Sequence, residues 1–508
     1  MMQNGSLLAA LDLGSNSYRL EIARLDHGQI SRTEYIKETV RQGNGLDENR
    51  NLTPQAMQRG WDCLARFGER LAGFKKSNVR AVATQTLREA RNRDEFLAKG
   101  QSILGFPIEV ISGREEARMI YQGVARMLPE TDERRLVIDI GGRSTEIVLG
   151  HHFEPQVMES YRTGSVAWSM KYFADGQFTA DAFHRAQIAA KAVLDEAIDL
   201  YPKEEWDQAY GSSGTVGAVA DALGASGWSS EIITWEGLVW LEKTLIRAQS
   251  LDKLKIEGIK EDRKAVIGGG IAVLKAVFEL LQIESLHCAQ GALRHGVLYD
   301  LIEREDSSTD TRTLTINRLQ NSFHVDTAQA RRVAKVARHF LSQLCAQRNE
   351  SLDALPLLRT VEWAAHLHEI GACISHTDYH KHGAYILDQS DAAGFALSEL
   401  HQLSLLVHGH RGKLKKLDAD FEDENFSLQL MCLRLAVIVC HARRDPQFEQ
   451  ILLHLPKKSA QSVEITLPPL WTLNFPQSAH LLHEEVNAWL KTGWHLSIHQ
   501  LEAKPLSR

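Results

Sequence analysis

Cysteine is scarce and scattered in this chain of 508 residues: Cys63, Cys288, Cys345, Cys373, Cys432 and Cys440 include no close pair. That argues against a zinc knuckle and predicts reduced thiols in a cytoplasmic setting. No apolar run is long enough to span a bilayer, so any association with the inner membrane would be peripheral. The N-terminus has no positive region followed by a signal-type core, and the apolar stretch at 7–13 is interrupted by Asp12. Positive charge is not in excess either. Lys and Arg total 58 against 65 Asp and Glu, a net charge of −7. A nucleic-acid partner is therefore not expected, and a polyanionic substrate would need locally concentrated positive charge, because the global field repels it. What remains is an ordinary soluble composition, 44% hydrophobic and 24% charged, in a chain long enough for several domains.

The chain is organised around Val137-Ile138-Asp139-Ile140-Gly141-Gly142-Arg143-Ser144-Thr145-Glu146. The apolar run Leu136–Ile140 reads as a buried strand, and Val148 and Leu149 resume the pattern after the loop. Two glycines let the backbone come close to a ligand, and loop amides and hydroxyls can hold phosphate oxygens. Asp139 and Glu146 are spaced to hold a cation beside them. Taken alone, a strand-Asp-Gly-Gly turn is equally a plain hairpin. The same grammar recurs near the N-terminus, where Leu11-Asp12-Leu13-Gly14-Ser15-Asn16-Ser17 precedes Arg19-Leu20-Glu21-Ile22-Ala23. Two such loops predict two related half-domains facing one cleft. With Tyr210-Gly211-Ser212-Ser213-Gly214-Thr215 between a short strand and a helix, the arrangement resembles the actin, sugar-kinase and heat-shock-ATPase superfamily.

Between these motifs, Thr53-Pro54 opens a helix, Val79–Ala83 reads as a strand, and 84–96 is a polar segment carrying Arg88, Arg91 and Arg93. After the strand at 108–111, Ser112-Gly113-Arg114-Glu115-Glu116 starts another helix. Ser112 and Glu115 have capping-box spacing, which predicts that Glu115 folds back onto the Ser112 amide. Glu116, one residue further round, is left to face a cleft. The alternative is two exposed first-turn acids favoured by the helix dipole. The Gly268-Gly269-Gly270 run is expected to precede an apolar helix from Ile271 to Leu281, and 303–313 reads as the linker.

Beyond the linker the periodicity is helical. His366, His368 and Glu369, then His376, His380, His382, His408 and His410, look like the HD-type metal phosphohydrolase fold. Glu369 stands where that fold carries Asp, and no full ligand set is evident. The run from Arg411 to Lys416 either guides a polyanion or is simply solvated. Residues 461–501 return to strand-like alternation with a helical stretch near 479–491.

Across these residues, with Thr86-Leu87-Arg88-Glu89-Ala90 and Gly291-Ala292-Leu293-Arg294-His295-Gly296, the chain strongly resembles the exopolyphosphatase and guanosine pentaphosphate phosphohydrolase family over nearly its whole length. Two positions depart from the family pattern: Arg143 stands for a glycine and His295 for a glutamate. The resemblance implies an α/β fold of two actin-like (ribonuclease H-like) halves around a cleft, at 1–129 and 130–305. An all-α HD-like domain at 306–455 and a small α/β module at 456–508 would follow. It implies exopolyphosphatase activity, the release of terminal orthophosphate from polyphosphate. Guanosine pentaphosphate 5′-phosphohydrolase is the alternative, and an actin-like nucleotide-binding module or kinase the reading from another class. In family terms Glu116 would activate water, and Asp139 and Glu146, with help from Asp12, would hold Mg2+. Ser15, Asn16, Arg88, Gly142, Ser144 and Thr145 would cradle the terminal phosphates. Arg143 would bind phosphate or narrow the pocket, and Arg263 and His376 would guide the chain outward. Stimulation by K+ and a homodimer that extends the channel belong to the same expectation, as does a polyanion groove built from residues beyond about 314.

Overall fold

The structure, a computed structural model, describes residues 3–254, 256–304, 309–348, 354–456 and 461–501. It divides into two compact units, Met1–Asp310 and Thr311–Arg508. The break falls in the expected linker, of which 305–308 lie outside the described residues.

The first unit holds two mixed sheets. One contains β1 (Leu7–Leu13), β2 (Tyr18–Asp26), β3 (Gln29–Glu38), β4 (Val79–Ala83) and β5 (Ile108–Val110), in the order β3-β2-β1-β4-β5. The other contains β6 (Arg134–Ile140), β7 (Thr145–His151), β8 (Glu154–Tyr161), β9 (Gln208–Ser212), β10 (Ile232–Thr234) and β11 (Ser285–Cys288), in the order β10-β11-β9-β6-β7-β8. Around the central strands the two are alike. β1-β2-β3 and β6-β7-β8 are antiparallel meanders, while β4 and β5, like β9 and β11, add in parallel. β10 is an extra antiparallel edge. β1 and β6 are buried along nearly their whole length, as central strands covered on both faces must be. Their one buried acid each, Asp12 and Asp139, falls near the C-terminal end, where ligands gather in such sheets.

The helix Gly113–Ala125 follows β5 and is capped by Ser112, whose Oγ accepts the Glu115 amide at 3.2 Å. The return half of the expected box is replaced. Both Glu115 carboxylate oxygens accept from Arg118, at 2.7 and 2.8 Å, and Arg80 lies at 3.8 Å. Asp300, on the helix Leu293–Glu303, pairs with both arginines and completes a buried network. A fully buried carboxylate gains more from two guanidinium groups than from one amide already at a helix end. The glycine run also differs from expectation. It lies inside the helix Ile267–Leu280, because a Cβ on Gly269 would meet the Ser165 carbonyl and the Ser169 amide at 2.5 Å.

The second unit is helical around one core. Thr327–Gln347, Ala354–Leu367, Leu397–Gly409 and Glu424–Val439 pack there together with β13 (Ser462–Leu467) of a three-stranded sheet. The helix Pro476–Trp489 is tied in by Glu485, which takes Arg434 at 2.5 and 2.7 Å and the Trp489 indole at 2.7 Å. Among the described residues no helix is long and apolar enough to cross a membrane.

Candidate active site

The ends of β1 and β6 open on a polar cleft of about 400 Å³. Its floor is built from the two hairpin loops, lined by Asp12, Ser15 and Asn16 from one and by Asp139, Gly142 and Ser144 from the other. Ser213, Gly214 and Thr215 add the turn after β9. The Gly141–Ser144 loop has its carbonyls engaged from one side: Gly141 O accepts from Ser165, and Gly142 O from Val166 and Ala167, at 2.8 to 3.0 Å. The N-terminus of the helix Ser165–Tyr172 thus holds the loop, which the Gly141 amide closes onto the Ser144 carbonyl at 2.9 Å.

Glu116 lines the cleft beside these loops and Arg88 stands behind it, its Nη1 donating to Glu116 Oε2 at 2.8 Å and to the Ile111 carbonyl at 2.9 Å. Burial pushes the Glu116 carboxyl up to about 7. Arg88 opposes that rise, and the charges of Asp12 and Asp139 add to it. Burial likewise raises Asp139 to about 6, against a hydrogen bond from Ser212 and the charge of Arg19. Glu146, opposite Asp139 in the β6–β7 register, is 1% exposed. Burial and the neighbouring Glu116 and Asp139 raise its carboxyl, and the Ser160 hydroxyl donates to it at 2.7 Å. A carboxylic acid titrating near neutrality in a cleft of phosphate-sized donors suits proton abstraction from water.

The positive charge required by the net balance is concentrated here. Arg19, Lys37, Lys260, Arg263 and Arg294 all line the same cleft, together with Tyr35. Arg263 approaches so closely that a Cβ on Gly214 would lie 2.1 Å from its Nη2. Burial and the like charge of Arg19 lower its pKa. Arg294 is held by Glu21 at 2.5 Å, and its guanidinium lies 4.9 Å from the Tyr35 ring centroid. His295, the departure from glutamate, keeps the capping function. Its Nδ1 accepts the Ala292 amide at 3.0 Å, and its Nε2 faces Glu21 at 3.3 Å.

The structure brings Ser15, Asn16, Glu116, Asp139, Gly142, Ser144 and Arg263 together in one cleft. It places others elsewhere. Thr145 donates its hydroxyl to the Thr163 carbonyl at 2.7 Å and is fully buried, because the β7 pairing turns it into the sheet. Arg143 is turned to Glu89 and the Gly43 carbonyl rather than lining the cleft. Asp12 does line the cleft, but there it is in an ion pair with Arg19 at 2.8 Å. His376 lies exposed in the second unit, beside Tyr379. In that unit His368 and His410 stand edge to face at 5.3 Å, each Nδ1 on a backbone carbonyl, and Glu369 is paired with Arg443 at 2.5 Å. Among the described residues the one set of three metal-type ligand atoms within 4.8 Å of one another is Asp132, His151 and His152, outside the cleft. Sequence reasoning passed over Arg19, Lys37, Lys260 and Arg294. Counting seven residues on from each loop aspartate would have singled out Arg19 as the counterpart of Glu146.

The description Ppx/GppA phosphatase family matches residues 21–305, and Ppx/GppA phosphatase, domain III, matches 311–489. The Guanosine-5′-triphosphate,3′-diphosphate pyrophosphatase of Vibrio cholerae serotype O1 is 40% identical over 498 residues, covering 97% of this chain and 98% of its own. That of Vibrio atlanticus is 39% identical over 494 residues, with the same coverage. Among solved structures, an exopolyphosphatase-like protein is 26% identical at a TM-score of 0.54, covering 59% of this chain and 98% of its own. The Aquifex aeolicus member of the Ppx/GppA family is 24% identical at a TM-score of 0.50, again over 59% and 98%, and speaks to the fold alone. The first unit is thus a pair of actin-like halves, and the helical region that follows carries the family's third domain. The chain belongs to the Ppx/GppA phosphatase family.

Proposed function

We propose that this hydrolase removes the terminal 5′-phosphate of guanosine pentaphosphate, leaving guanosine tetraphosphate and orthophosphate. The observation that carries the substrate is the identity of 40% over nearly the full length with relatives named for that nucleotide. It moves the reading away from polyphosphate, the substrate the family resemblance implies first; both substrates end in the same scissile anhydride, so the loops do not separate them.

Phosphoryl transfer to water needs positioning and charge stabilisation more than covalent chemistry. In this reading the terminal phosphate sits between the Ser15–Asn16 and Gly142–Ser144 loops, held by amides and hydroxyls. Arg263, Lys260 and Lys37 take the remaining phosphates toward the mouth. Glu116, ionised near neutrality and oriented by Arg88, accepts a proton from the water whose oxygen forms the new P–O bond. The bridging P–O bond breaks, and its oxygen leaves with the nucleotide diphosphate end.

Asp139 and Glu146 fit a hard cation. They are adjacent buried acids with raised pKa, whereas the equivalent pair in the other loop is already neutralised. Bound there, Mg2+ would neutralise charge on the transferring phosphoryl group. Magnesium keeps several waters and substrate oxygens, so two carboxylates suffice. Phosphate release measured side by side on guanosine pentaphosphate and on long polyphosphate tests the proposal. A higher kcat/KM on the nucleotide is expected, and the reverse order would overturn it.

A further inference from the structure

Two glutamates and two arginines form one hydrogen-bonded chain that starts in the cleft. Glu116, in the cleft, takes Arg88 at 2.8 Å. Gln85 accepts from the Nε and Nη2 of the same Arg88, at 3.0 and 2.6 Å, and donates its own amide to Glu89 Oε1 at 2.7 Å. The other oxygen of Glu89 takes Arg143, whose Nε and Nη2 lie at 3.2 and 3.1 Å. Arg143 belongs to the loop after β6, whereas its partners Glu89 and Gly43 belong to the first half. Its Nη1 donates to the Gly43 carbonyl at 3.1 Å, which fixes the guanidinium across the gap.

The side chains of Glu89 and Arg143 are only 15% and 21% exposed, so neither charge is well screened by water. Remove Arg143 and Glu89 becomes a part-buried carboxylate in need of a cation. The nearest candidate along the line is Arg88, one glutamine away and already hydrogen-bonded to that glutamine. Each Arg88 that leans toward Glu89 is lost to Glu116.

We propose that Arg143 is a positioning residue: by neutralising Glu89 it keeps Arg88 on Glu116. It acts through charge pairing and touches no phosphate. The proposal rests on Glu116 being the base of the hydrolase, and it holds for whichever phosphoanhydride the wild-type enzyme turns over. Its test is therefore read relative to wild type on that substrate.

Steady-state kinetics on Arg143→Ala, Arg143→Lys, Glu89→Gln and the Arg143→Ala/Glu89→Gln double variant decide it. Arg143→Ala should lower kcat by about 10–100-fold, the size expected when a supporting change misplaces a reacting group, with KM within about threefold. Arg143→Lys keeps the charge and should retain more of the activity, although it cannot reproduce the fork. Glu89→Gln should stay within about threefold of wild type, because the competing charge is gone and the isosteric amide can still bond Gln85. The double variant should recover most of the turnover that Arg143→Ala loses. A phosphate ligand would show the opposite signature, a raised KM in Arg143→Ala that Glu89→Gln does not repair. A purely structural latch would give losses that add. Either result overturns the proposal, as does an unchanged kcat in folded Arg143→Ala. If Arg143→Ala does not fold, Arg143→Lys with and without Glu89→Gln, checked by circular dichroism, gives the same comparison.

Discussion

The two hairpin loops have the same length and the same scaffold but opposite electrical character. Asp12 and Asp139 end equivalent strands, and the residue paired across each hairpin is Arg19 in the first and Glu146 in the second. The first loop is neutral within itself, with the ion pair at 2.8 Å, and its serines and Asn16 are left to bind phosphate. The second concentrates two buried acids beside Glu116, and burial raises the pKa of all three. One exchange of arginine for glutamate therefore separates the two loops electrically, and the proposed function assigns anion binding to the first and the cation and proton to the second.

The sharpest way to break this comparison is to remove the proton acceptor. Glu116→Gln should cut kcat by about 10²–10⁴, the usual range for loss of a general base. A loss under tenfold would move the base elsewhere. The loops themselves come next. Asp139→Asn should lower Mg2+-dependent turnover by about 10²–10³, as when one preorganised electrostatic group is lost. Asp12→Asn should cost clearly less in kcat and should mainly lower KM, because it frees the cleft-lining Arg19 for the anionic substrate. Equal losses with equal Mg2+ dependence would mean that both loops serve the cation.

The pH dependence follows from the same acids. Activity should fall about tenfold per unit below the Glu116 pKa of about 7, since only the carboxylate accepts a proton. Stability of the ligand-free protein should run the other way. The folded-state pKa is raised from 4.5 to about 7, so the group's contribution is complete below 4.5 and is lost as pH rises through about 7. The thermal unfolding temperature without Mg2+ should therefore fall on going from about pH 5 to about pH 8. Glu116→Gln should flatten that trend, and an unchanged trend would assign it to other groups.

The smallest effect on chemistry is expected at Glu115, one residue from the base. Its carboxylate holds Arg118 and Arg80 in a buried network, so Glu115→Gln should lower stability by about 3–5 kcal/mol, the cost of breaking a buried pair. Turnover per folded molecule should stay within about threefold at a temperature where the variant remains folded. Denaturant unfolding and active-site titration separate the two effects.

The sequence by itself determined the repeat, the strand–Asp–Gly loops and that Glu116 rather than Glu115 faces the cleft, because these depend on local spacing and on period. Even there the stated cause was incomplete. Glu115 is occupied by Arg118 and Arg80 and not by the Ser112 amide, and Arg80 and Asp300 reach it from distant elements. Only the tertiary structure decided which cations face the cleft. Arg19, Lys37, Lys260 and Arg294 lie far apart in the chain and join Arg263 because two sheets and their connections converge. The partner of Arg143 was likewise out of reach, since Glu89 lies 54 residues away in the other half. Thr145 shows the converse. Its type suited a phosphate, but the β7 register turned its hydroxyl to the Thr163 carbonyl. Residue type states what a group can do, whereas the direction it faces is a property of the packed chain.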